Sequence, residues 1–488
     1  MIFISTGVPQ TVRELEPLTL DDMTQSLINT KAGLAVTNRV LIKQVSERGV
    51  AFSINATVEQ SLRSAGASNE LITSIRDTIS RSFSKKADEC GKEDFACQIS
   101  NYTKALEVRP DDAIVLYNRG LSRQNSGEYD GAISDYSEAL KFDPKDADTY
   151  ANRGTVYQHK NEFALAVKDF DQAILLAPGD ASNYFHRAAA RYDTADYDLA
   201  IKDYSKYVAM KPGDADGFNN RGEAYFQKSS YDAAMKDFNK AISLRPDFVQ
   251  SYVNRGRVYS ATDRIDLAMR EFDAALKIDP KDEYALHNRA YALFGLKKYD
   301  RSLVDYNAVI DLDPKIAVRY TDRGQVFHAF GNYARAIADF TKSIELDPKV
   351  AATYYFRADS YLATKDYEQA LLDYSKSIAL DASDTDSYFG RGYVLTEIED
   401  YENALKDYSK GIQLSPKNSD AYTNRGFIYL RLKRYAESIA DTSQAIKLNP
   451  KDATAFVNRA AAFEATGDSK RAESDQKKAA ELEAAAKP

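Results

Sequence analysis

An arginine recurs along the 488-residue chain at a constant step of 34 residues, as from Arg119 to Arg153. Five copies stand in the tripeptide Asn-Arg-Gly, beside the apolar stripe of a helix such as Tyr150, Gly154 and Tyr157. Such an arginine either serves catalysis or a ligand, or it pairs with an acid of the protein itself. The copies are Arg119, Arg153, Arg187, Arg221, Arg255, Arg289, Arg323, Arg357, Arg391, Arg425 and Arg459.

A carboxylate follows each arginine at an offset of sixteen residues. The acids are Asp135, Asp169, Asp203, Asp237, Glu271, Asp305, Asp339, Asp373, Asp407, Asp441 and Asp475. A half-buried guanidinium without a partner is costly, so an acid at constant offset is the expected compensation. Glu271 keeps the charge although the residue type changes. We therefore predict a structural ion pair in every repeat rather than a catalytic arginine.

Common catalytic motifs are absent from the sequence. It contains no Gly-x-x-x-x-Gly-Lys loop, no Gly-x-Gly-x-x-Gly, no His-Glu-x-x-His and no Gly-x-Ser-x-Gly. Its four histidines are His159, His186, His287 and His328. Hydrogen-bonded or solvated side chains are the simplest interpretation of these four, with a metal pair of His159 and His186 as the alternative. The sequence predicts no enzymatic activity, no cofactor and no metal site.

Composition narrows the possible partners. The net charge of −8 and the pI near 5.4 argue against a nucleic-acid partner, which requires clustered Lys and Arg. No apolar run approaches the ~20 residues of a membrane-spanning helix, so we expect no membrane insertion. The N-terminal stretch lacks the basic region of a signal peptide. We expect a cytoplasmic protein, or a periplasmic one if a signal sequence lies upstream of this start.

Two cysteines, Cys90 and Cys97, are the only ones in the chain. They supply at most half of a tetrahedral metal shell, so a metal site is not expected. Two alternatives remain: reduced cysteines near a turn, or a disulfide across a helix–turn–helix corner in an oxidising compartment.

A period of 34 residues organises the chain beyond the arginines. Prolines occur at 110, 144, 178, 212, 246, 280, 314, 348, 416 and 450, with Ala382 in register. Each period holds two helical patterns, helix A with Tyr150, Gly154 and Tyr157, and helix B with Ala166, Phe170 and Ala173. Proline ends helix B, and a following Asp is suited to cap the next helix A.

This pattern resembles the tetratricopeptide repeat, in a bacterial type with Asn-Arg-Gly in helix A and Asp in helix B. The small position of helix A is Gly120, Gly154, Ala188, Gly222, Gly256, Ala290, Gly324, Ala358, Gly392, Gly426 and Ala460. The resemblance implies an all-α, right-handed superhelical solenoid of eleven to twelve helix–turn–helix repeats. We predict a flexible segment over residues 1–17 and a small helical module over 18–78. A degenerate first repeat over 79–112 and eleven repeats over 113–486 follow, the last acting as a cap.

The resemblance also implies where a ligand would bind. In this family the residue before the arginine lines a concave groove, where asparagines grip the backbone of an extended peptide. We call this residue the ladder position, and it holds Asn118, Asn152, Asn220, Asn254, Asn288, Asn424 and Asn458. Aromatic residues expected on the same face are Phe185, Tyr192, Phe226, Tyr291, Phe294, Tyr355, Phe389, Tyr393 and Phe427. Alternatively, the asparagines bind the neighbouring repeat and only stabilise the stack.

Two functions follow from these patterns. The first is a scaffold or adaptor that binds extended peptide segments of a partner protein in the groove. The alternative is an accessory assembly subunit of a bacterial envelope or secretion complex, which uses its outer faces. Both functions require a protein or peptide partner.

Overall fold

The computed structural model describes residues 16–30 and 32–485. Twenty-seven α-helices account for most of these residues, and the only β interaction among them is an isolated bridge between Leu18 and Val50. Most of the segment predicted to be flexible, residues 1–15, lies outside the described residues. Residue 486, the predicted end of the repeat array, lies outside them as well.

The helices divide into two compact units, of which the first ends at Pro246 and the second begins at Asp247. The helices of the first unit are α1 (Leu20–Ile28), α2 (Leu34–Arg48), α3 (Ala56–Ser64), α4 (Asn69–Asp88), α5 (Phe95–Val108), α6 (Ala113–Ser126), α7 (Tyr129–Phe142), α8 (Ala147–His159), α9 (Phe163–Leu176), α10 (Ala181–Asp193), α11 (Tyr197–Met210), α12 (Ala215–Gln227) and α13 (Tyr231–Leu244).

The second unit continues the same alternation of helices. Its helices are α14 (Val249–Ala261), α15 (Ile265–Ile278), α16 (Glu283–Gly295), α17 (Tyr299–Leu312), α18 (Ala317–Ala329), α19 (Tyr333–Leu346), α20 (Ala351–Ala363), α21 (Tyr367–Leu380), α22 (Thr385–Glu397), α23 (Tyr401–Leu414), α24 (Ser419–Arg431), α25 (Tyr435–Leu448), α26 (Ala453–Ala465) and α27 (Ser469–Ala485).

Within each unit the helices pack in consecutive pairs, α6 with α7, α8 with α9, and so on to α26 with α27. Even-numbered members from α6 onward are the A helices, and odd-numbered members from α7 onward are the B helices. The 34-residue period therefore corresponds to one helix pair. The prediction of an all-α fold built from repeated helix pairs is confirmed.

A small residue in helix A lets the two helices of a pair approach closely. An added Cβ at Gly256 would lie 2.5 Å from the ring of Phe272, which is fully buried between the helices. Real side chains do not tolerate such a distance, so only glycine fits this crossing without displacement of the ring. The repeated pattern of a small residue in helix A and a ring in helix B thus encodes the tight pair.

The turn between helices A and B uses the same left-handed backbone in every repeat. The residue concerned is glycine at Gly127, Gly331 and Gly467. In the other eight repeats it is Asn161, Ala195, Ser229, Asp263, Lys297, Lys365, Glu399 and Lys433, with φ between 56° and 64°. Residues other than glycine are disfavoured in this region of backbone conformation. Eight of the eleven turns are therefore slightly less favourable than they would be with glycine.

The junction from helix B to the next helix A usually ends in a capping side chain. Asp112, for example, accepts a hydrogen bond from the backbone N–H of Val115 at the start of α6. Equivalent caps are Asp146, Asp180, Asp214, Asp282, Asp384, Asn418 and Asp452. Three A helices instead have Phe248, Ile316 and Val350 at the N-cap, and none of these residues makes a capping side-chain bond.

Helices α1 to α4 surround a core of their own. It contains Leu18, Met23, Leu27, Leu41, Val45, Leu62, Leu71, Ile72, Ile75 and Ile79. Buried Asn38 ties this core together, because its amide donates to the carbonyls of Leu34 and Gly66 and accepts from the N–H of Ser68. Helix α4 runs through the predicted module boundary at residue 78 and packs on α5.

Cys90 and Cys97 form a disulfide in the structure, with their Cα atoms 6.0 Å apart. The bond joins the end of α4 to the first turn of α5. Close by, the hydroxyl of Tyr102 donates to Asp88 at 2.7 Å. The turn between α4 and α5 is therefore held both covalently and by a hydrogen bond. Over residues 16–30 and 32–485, none of the helices has the length and apolar character required to span a membrane.

Candidate binding face of the A helices

The structure brings every predicted arginine together with the acid sixteen residues later. Arg221 is typical, since its Nε and Nη2 donate to the two oxygens of Asp237 at 2.7 and 2.8 Å. The Asp237 side chain is 5% exposed and that of Arg221 is 18% exposed, so the pair is largely removed from water. Hydrogen bonding to Asp237, opposed by burial, raises the pKa of Arg221. Each guanidinium braces helix A against helix B of its own repeat.

All eleven pairs share this contact. The first ten are Arg119–Asp135, Arg153–Asp169, Arg187–Asp203, Arg221–Asp237, Arg255–Glu271, Arg289–Asp305, Arg323–Asp339, Arg357–Asp373, Arg391–Asp407 and Arg425–Asp441, followed by Arg459–Asp475. Glu271 differs in geometry, because Nε and Nη2 of Arg255 both reach its Oε2, at 3.0 and 2.7 Å.

The same arginines also bind the preceding repeat, a contact that the sequence reasoning did not anticipate. Nη1 of Arg153 donates to the hydroxyl of Ser137 at 2.9 Å, sixteen residues earlier on helix B of the previous pair. Other acceptors at this offset are Thr103, Asp171, Ser205, Asp273, Asn307, Thr341, Ser375, Ser409 and Ser443. The signal was present in the sequence as a short polar residue sixteen positions before each arginine.

Three of the ladder asparagines contact tyrosines of the preceding repeat. The amide of Asn152 donates to the Tyr117 hydroxyl at 2.8 Å. Burial raises the pKa of Tyr204 and of Tyr408, and hydrogen bonds with Asn220 and Asn424, respectively, oppose that rise. These three amides therefore connect neighbouring repeats within their unit.

The other ladder asparagines lie in different surroundings. Asn254 and Asn458 are 2% and 7% exposed, so a ligand cannot reach either amide in this structure. Asn254 accepts from Arg257 at 3.1 Å, and the amide of Asn288 donates to the Tyr284 carbonyl of its own helix at 2.7 Å. Asn118 is partly buried.

Four repeats place another residue at the ladder position. In three of them this residue lies against an aromatic ring of the preceding helix B. His186 stacks on Phe170 and Phe356 stacks on Phe340, with ring centroids 5.8 and 6.0 Å apart. At Gly390 an added Cβ would lie 2.5 Å from the ring of Tyr374. The ladder residue of these three repeats thus lies against the ring of the preceding helix B.

Asp322 is the fourth exception, and it places a carboxylate where other repeats have an amide. Its Oδ2 is buried and has no hydrogen-bond partner, while Nδ1 of His287 lies 3.7 Å away. Burial raises the pKa of Asp322, and the nearby His287 opposes the rise. The ladder therefore contains one poorly satisfied carboxyl group.

The predicted aromatic residues differ in accessibility. Tyr291 and Tyr393 are the most open, with 66% and 44% of their surfaces exposed. Phe185 packs against the rings of Tyr204 and Tyr207, at centroid distances of 5.6 and 4.9 Å. The remaining members, Tyr192, Phe226, Phe294, Tyr355, Phe389 and Phe427, are partly buried on the A helices.

A pocket of about 190 Å³ opens on this face in the second unit, between α16, α18 and α20. Its lining consists of Phe294, Gln325, His328, Ala329, Phe340, Tyr355, Phe356 and Asp359. Three of these eight residues, Phe294, Tyr355 and His328, had been singled out from the sequence. Asp359 occurs at this repeat position once, so no periodic signal pointed to it.

No group of three or more His, Cys, Asp or Glu side chains in the described part of the chain is arranged to hold a metal ion. His159 stacks on Tyr129, with ring centroids 5.4 Å apart. His186 is partly buried against Phe170, and burial lowers the pKa of its imidazole. Both rings therefore take part in packing contacts.

Family models of the tetratricopeptide repeat match the array from residue 125 to residue 452. Those described as "Tetratricopeptide repeat" match residues 151–215, 215–248, 249–282, 284–316, 321–387 and 419–452. Another, described as "TPR repeat", matches residues 125–161 and 392–433. The chain belongs to the tetratricopeptide repeat family, whose members are generally scaffolds for protein–protein interaction.

Solved structures similar to this chain are repeat proteins too. The hetero-tetramer Cut9-Hcn1 of the APC/C matches 88% of this chain and 93% of its own at 14% identity, with a TM-score of 0.43. Yeast Tom70 matches 82% and 97% at 16% identity, with a TM-score of 0.38. YrrB, described as a TPR protein with an unusual peptide-binding site, matches 38% and 95% at 22% identity, with a TM-score of 0.33. No curated protein sequence matches the chain.

Proposed function

We propose that the protein is a non-enzymatic scaffold that binds an extended segment of a partner protein along the A helices. The observation that carries the proposal is the aromatic surface of these helices in the second unit. Tyr291 and Tyr393 stand open on A helices, and a ring-lined pocket lies on α16, α18 and α20. Aromatic side chains with a polar group nearby are the residues that most often anchor a protein partner.

The ladder asparagines have a different role in this proposal from the one the family resemblance implies. Asn152, Asn220 and Asn424 are engaged with tyrosines of the preceding repeat. An amide already hydrogen-bonded has less capacity for the backbone of a ligand. We therefore assign the grip on the partner chiefly to aromatic side chains, with the asparagines fixing one repeat against the next.

A second candidate is an assembly subunit whose B helices contact large partners. Aliphatic side chains on B helices favour it, since Val304 on α17 and Leu372 on α21 are 66% and 59% exposed. The disulfide between Cys90 and Cys97 agrees with an oxidising compartment such as the bacterial periplasm. A cytoplasmic scaffold would hold these cysteines reduced.

A pair of double variants distinguishes the two candidates. Tyr291→Ser with Tyr393→Ser removes open rings from A helices, and Val304→Ser with Leu372→Ser removes open aliphatic groups from B helices. Each variant is tested for retention of partner proteins from a lysate of the source organism and of an immobilised random nonapeptide library. Circular dichroism and the thermal midpoint verify folding.

We expect the A-helix variant to retain about tenfold less peptide than the wild type, or less still, because it lacks two anchor residues. The B-helix variant is expected to bind like the wild type. The reverse result would reject the peptide scaffold in favour of the assembly subunit. Equal binding by all three proteins would exclude both surfaces.

A further inference from the structure

The pocket between α16, α18 and α20 has walls made of aromatic rings. Phe340 and Phe356 stack with centroids 6.0 Å apart, and Tyr355 meets Phe356 nearly edge-on at 5.4 Å. Phe294 completes the lining from α16. The faces of aromatic rings carry negative electrostatic potential, which attracts ammonium and guanidinium groups.

Asp359 is the one carboxylate in the lining. Its Oδ1 accepts a hydrogen bond from the Tyr374 hydroxyl at 2.5 Å, and the nearby Tyr355 side chain also favours its charged form. Both side chains are neutral phenols. Burial nevertheless raises the pKa of Asp359, because the two phenols do not replace the water that the carboxylate loses. The group is therefore held in place without a cation to balance its charge.

The surroundings of Asp359 provide no such cation. No Lys or Arg belongs to the eight residues that line the pocket. His328 is the only lining residue that can become positive, but burial lowers its pKa and its Nδ1 is hydrogen-bonded to Ser360 Oγ at 2.8 Å. The pocket thus combines aromatic rings with one carboxylate and has no lysine or arginine in its lining to balance that group.

We propose that this pocket receives the side chain of a lysine or arginine of the bound peptide, an inference that rests on the proposed function. The cationic head forms a charge-assisted hydrogen bond with Asp359, and the aliphatic stem lies against the rings. An apolar side chain would leave the Asp359 charge further desolvated, and an acidic one would be repelled. The pocket therefore selects for positive charge at one point of the ligand.

A pocket at the same repeat positions in the first unit shows a related arrangement. It is lined by Ala189, Tyr192, Asp193, Tyr204, Asn220 and Glu223. There Glu223 occupies the place of Asp359 and accepts a hydrogen bond from the Tyr192 hydroxyl at 3.2 Å. A carboxylate held by a phenol thus recurs four repeats apart, although the first-unit pocket has only two rings in its lining.

The test measures which side chains the full-length protein selects from an immobilised nonapeptide library that is scanned position by position. Asp359→Asn keeps an oxygen for the two tyrosine donors and removes the charge. Phe294→Leu removes a ring without touching the carboxylate. Asp300→Asn, at an exposed residue of α17, makes the same change of net charge outside the pocket and serves as the control. Circular dichroism and thermal midpoints confirm that all four proteins are folded.

We expect the wild type and the Asp300→Asn protein to favour lysine or arginine over glutamine at one position by about tenfold. Binding to peptides with lysine and to peptides with arginine at that position is measured separately, which shows which of the two is preferred. Asp359→Asn and Phe294→Leu are expected to lose this preference while keeping the preferences at other positions. The preference should also weaken as the salt concentration rises.

Three results would overturn the inference. Bound peptides without a preference for lysine or arginine would reject the cationic ligand but leave the peptide scaffold intact. A preference that survives in Asp359→Asn would place the recognition elsewhere. Failure of the wild type to retain any peptide would reject both the scaffold and this pocket.

Discussion

Most of the repeated arginines make contacts in three directions at once, as Arg153 illustrates. Arg153 donates from Nε and Nη2 to Asp169 on its own helix B and from Nη1 to Ser137 on the previous one. Its guanidinium also lies 5.7 Å from the ring centre of Tyr150. Only arginine offers a planar fork with donors in all these directions, and a lysine has one donor centre. The residue is therefore specified by geometry and not by charge alone.

Asp322 is the ladder residue whose buried carboxyl group lowers the stability of the folded protein when it is ionised. Its pKa in the folded protein is raised by burial, so its ionised form weakens the folded state at pH values above that raised pKa. As the pH falls through it, protonation removes the penalty. His287, whose Nδ1 lies 3.7 Å away, partly opposes the raised pKa of Asp322.

Substitution Asp322→Asn is accordingly expected to stabilise the protein at pH 8 by roughly 1 kcal/mol, the scale of a poorly satisfied buried polar group. The gain should disappear near pH 4, where the aspartate is neutral as well. Thermal unfolding of both proteins at the two pH values measures the difference. Asp300→Asn is the control at an exposed site, and a gain that does not depend on pH would contradict the explanation.

The turn between helices A and B is the element in which most repeats depart from the most favourable residue. Eight of the eleven left-handed positions carry a side chain, as at Ala195 with φ of 60°. Glycine adopts this backbone without steric conflict, whereas other residues are disfavoured there by about 1–2 kcal/mol. The turn is fixed by its hydrogen bonds, such as that from the Asp196 N–H to the Arg191 carbonyl at 2.8 Å.

Ala195→Gly should therefore raise the thermal midpoint, with a net gain of roughly 0.5–1 kcal/mol after the entropy of the unfolded glycine is subtracted. The same exchange inside a helix, Ala274→Gly in α15, should lower stability by about 1 kcal/mol. Opposite signs for the two variants identify the backbone conformation as the cause. A loss of stability in both would show that Ala195 contributes through its side chain.

At the scale of the molecule, stability is distributed over neighbouring helix pairs. In a repeat array each pair contacts chiefly the pairs beside it, so a defect first affects its own surroundings. The arginine contacts reinforce this arrangement within each unit, because ten of these arginines bind a B helix of the preceding repeat. Damage to a central pair should consequently be visible before the whole unit unfolds.

Asp237→Ala tests this expectation in the first unit. Removal of one partner from a buried pair costs about 3–5 kcal/mol, since Arg221 would remain without its acid. Hydrogen exchange should show lost protection in α12 and α13 while α6 and α7 stay protected, and the melting curve should broaden or shift down. Asp232→Ala, at an exposed residue of α13, is the control. An unchanged melting curve would mean that the pair contributes little.

The period was sufficient to predict the helix pairs and the arginine–acid contacts, because both repeat with a constant offset. The contacts of Asn152 with Tyr117 and of Phe356 with Phe340 depend on how one pair packs on the next, which no single period encodes. The left-handed turn could not be predicted from the period either, because only three repeats have glycine at that position. Asp359 escaped prediction because only one other repeat, at Glu223, has an acid at this position, and two copies give no periodic signal.

Most of the repeated arginines contact an acid of their own repeat and a polar residue of the preceding repeat. A whole repeat can therefore be removed or added while these contacts are kept. Arg323 binds Asn307 at 2.7 Å, and Arg357 binds Thr341 at 2.9 Å, each sixteen residues earlier. Excision of residues 317–350 would bring Asn307 to the place of Thr341, so Arg357 would meet a suitable acceptor at the new joint. A gene that gains or loses one repeat by unequal crossing-over would thus encode a protein with its internal joints intact. The interaction that stabilises the array also permits its length to evolve.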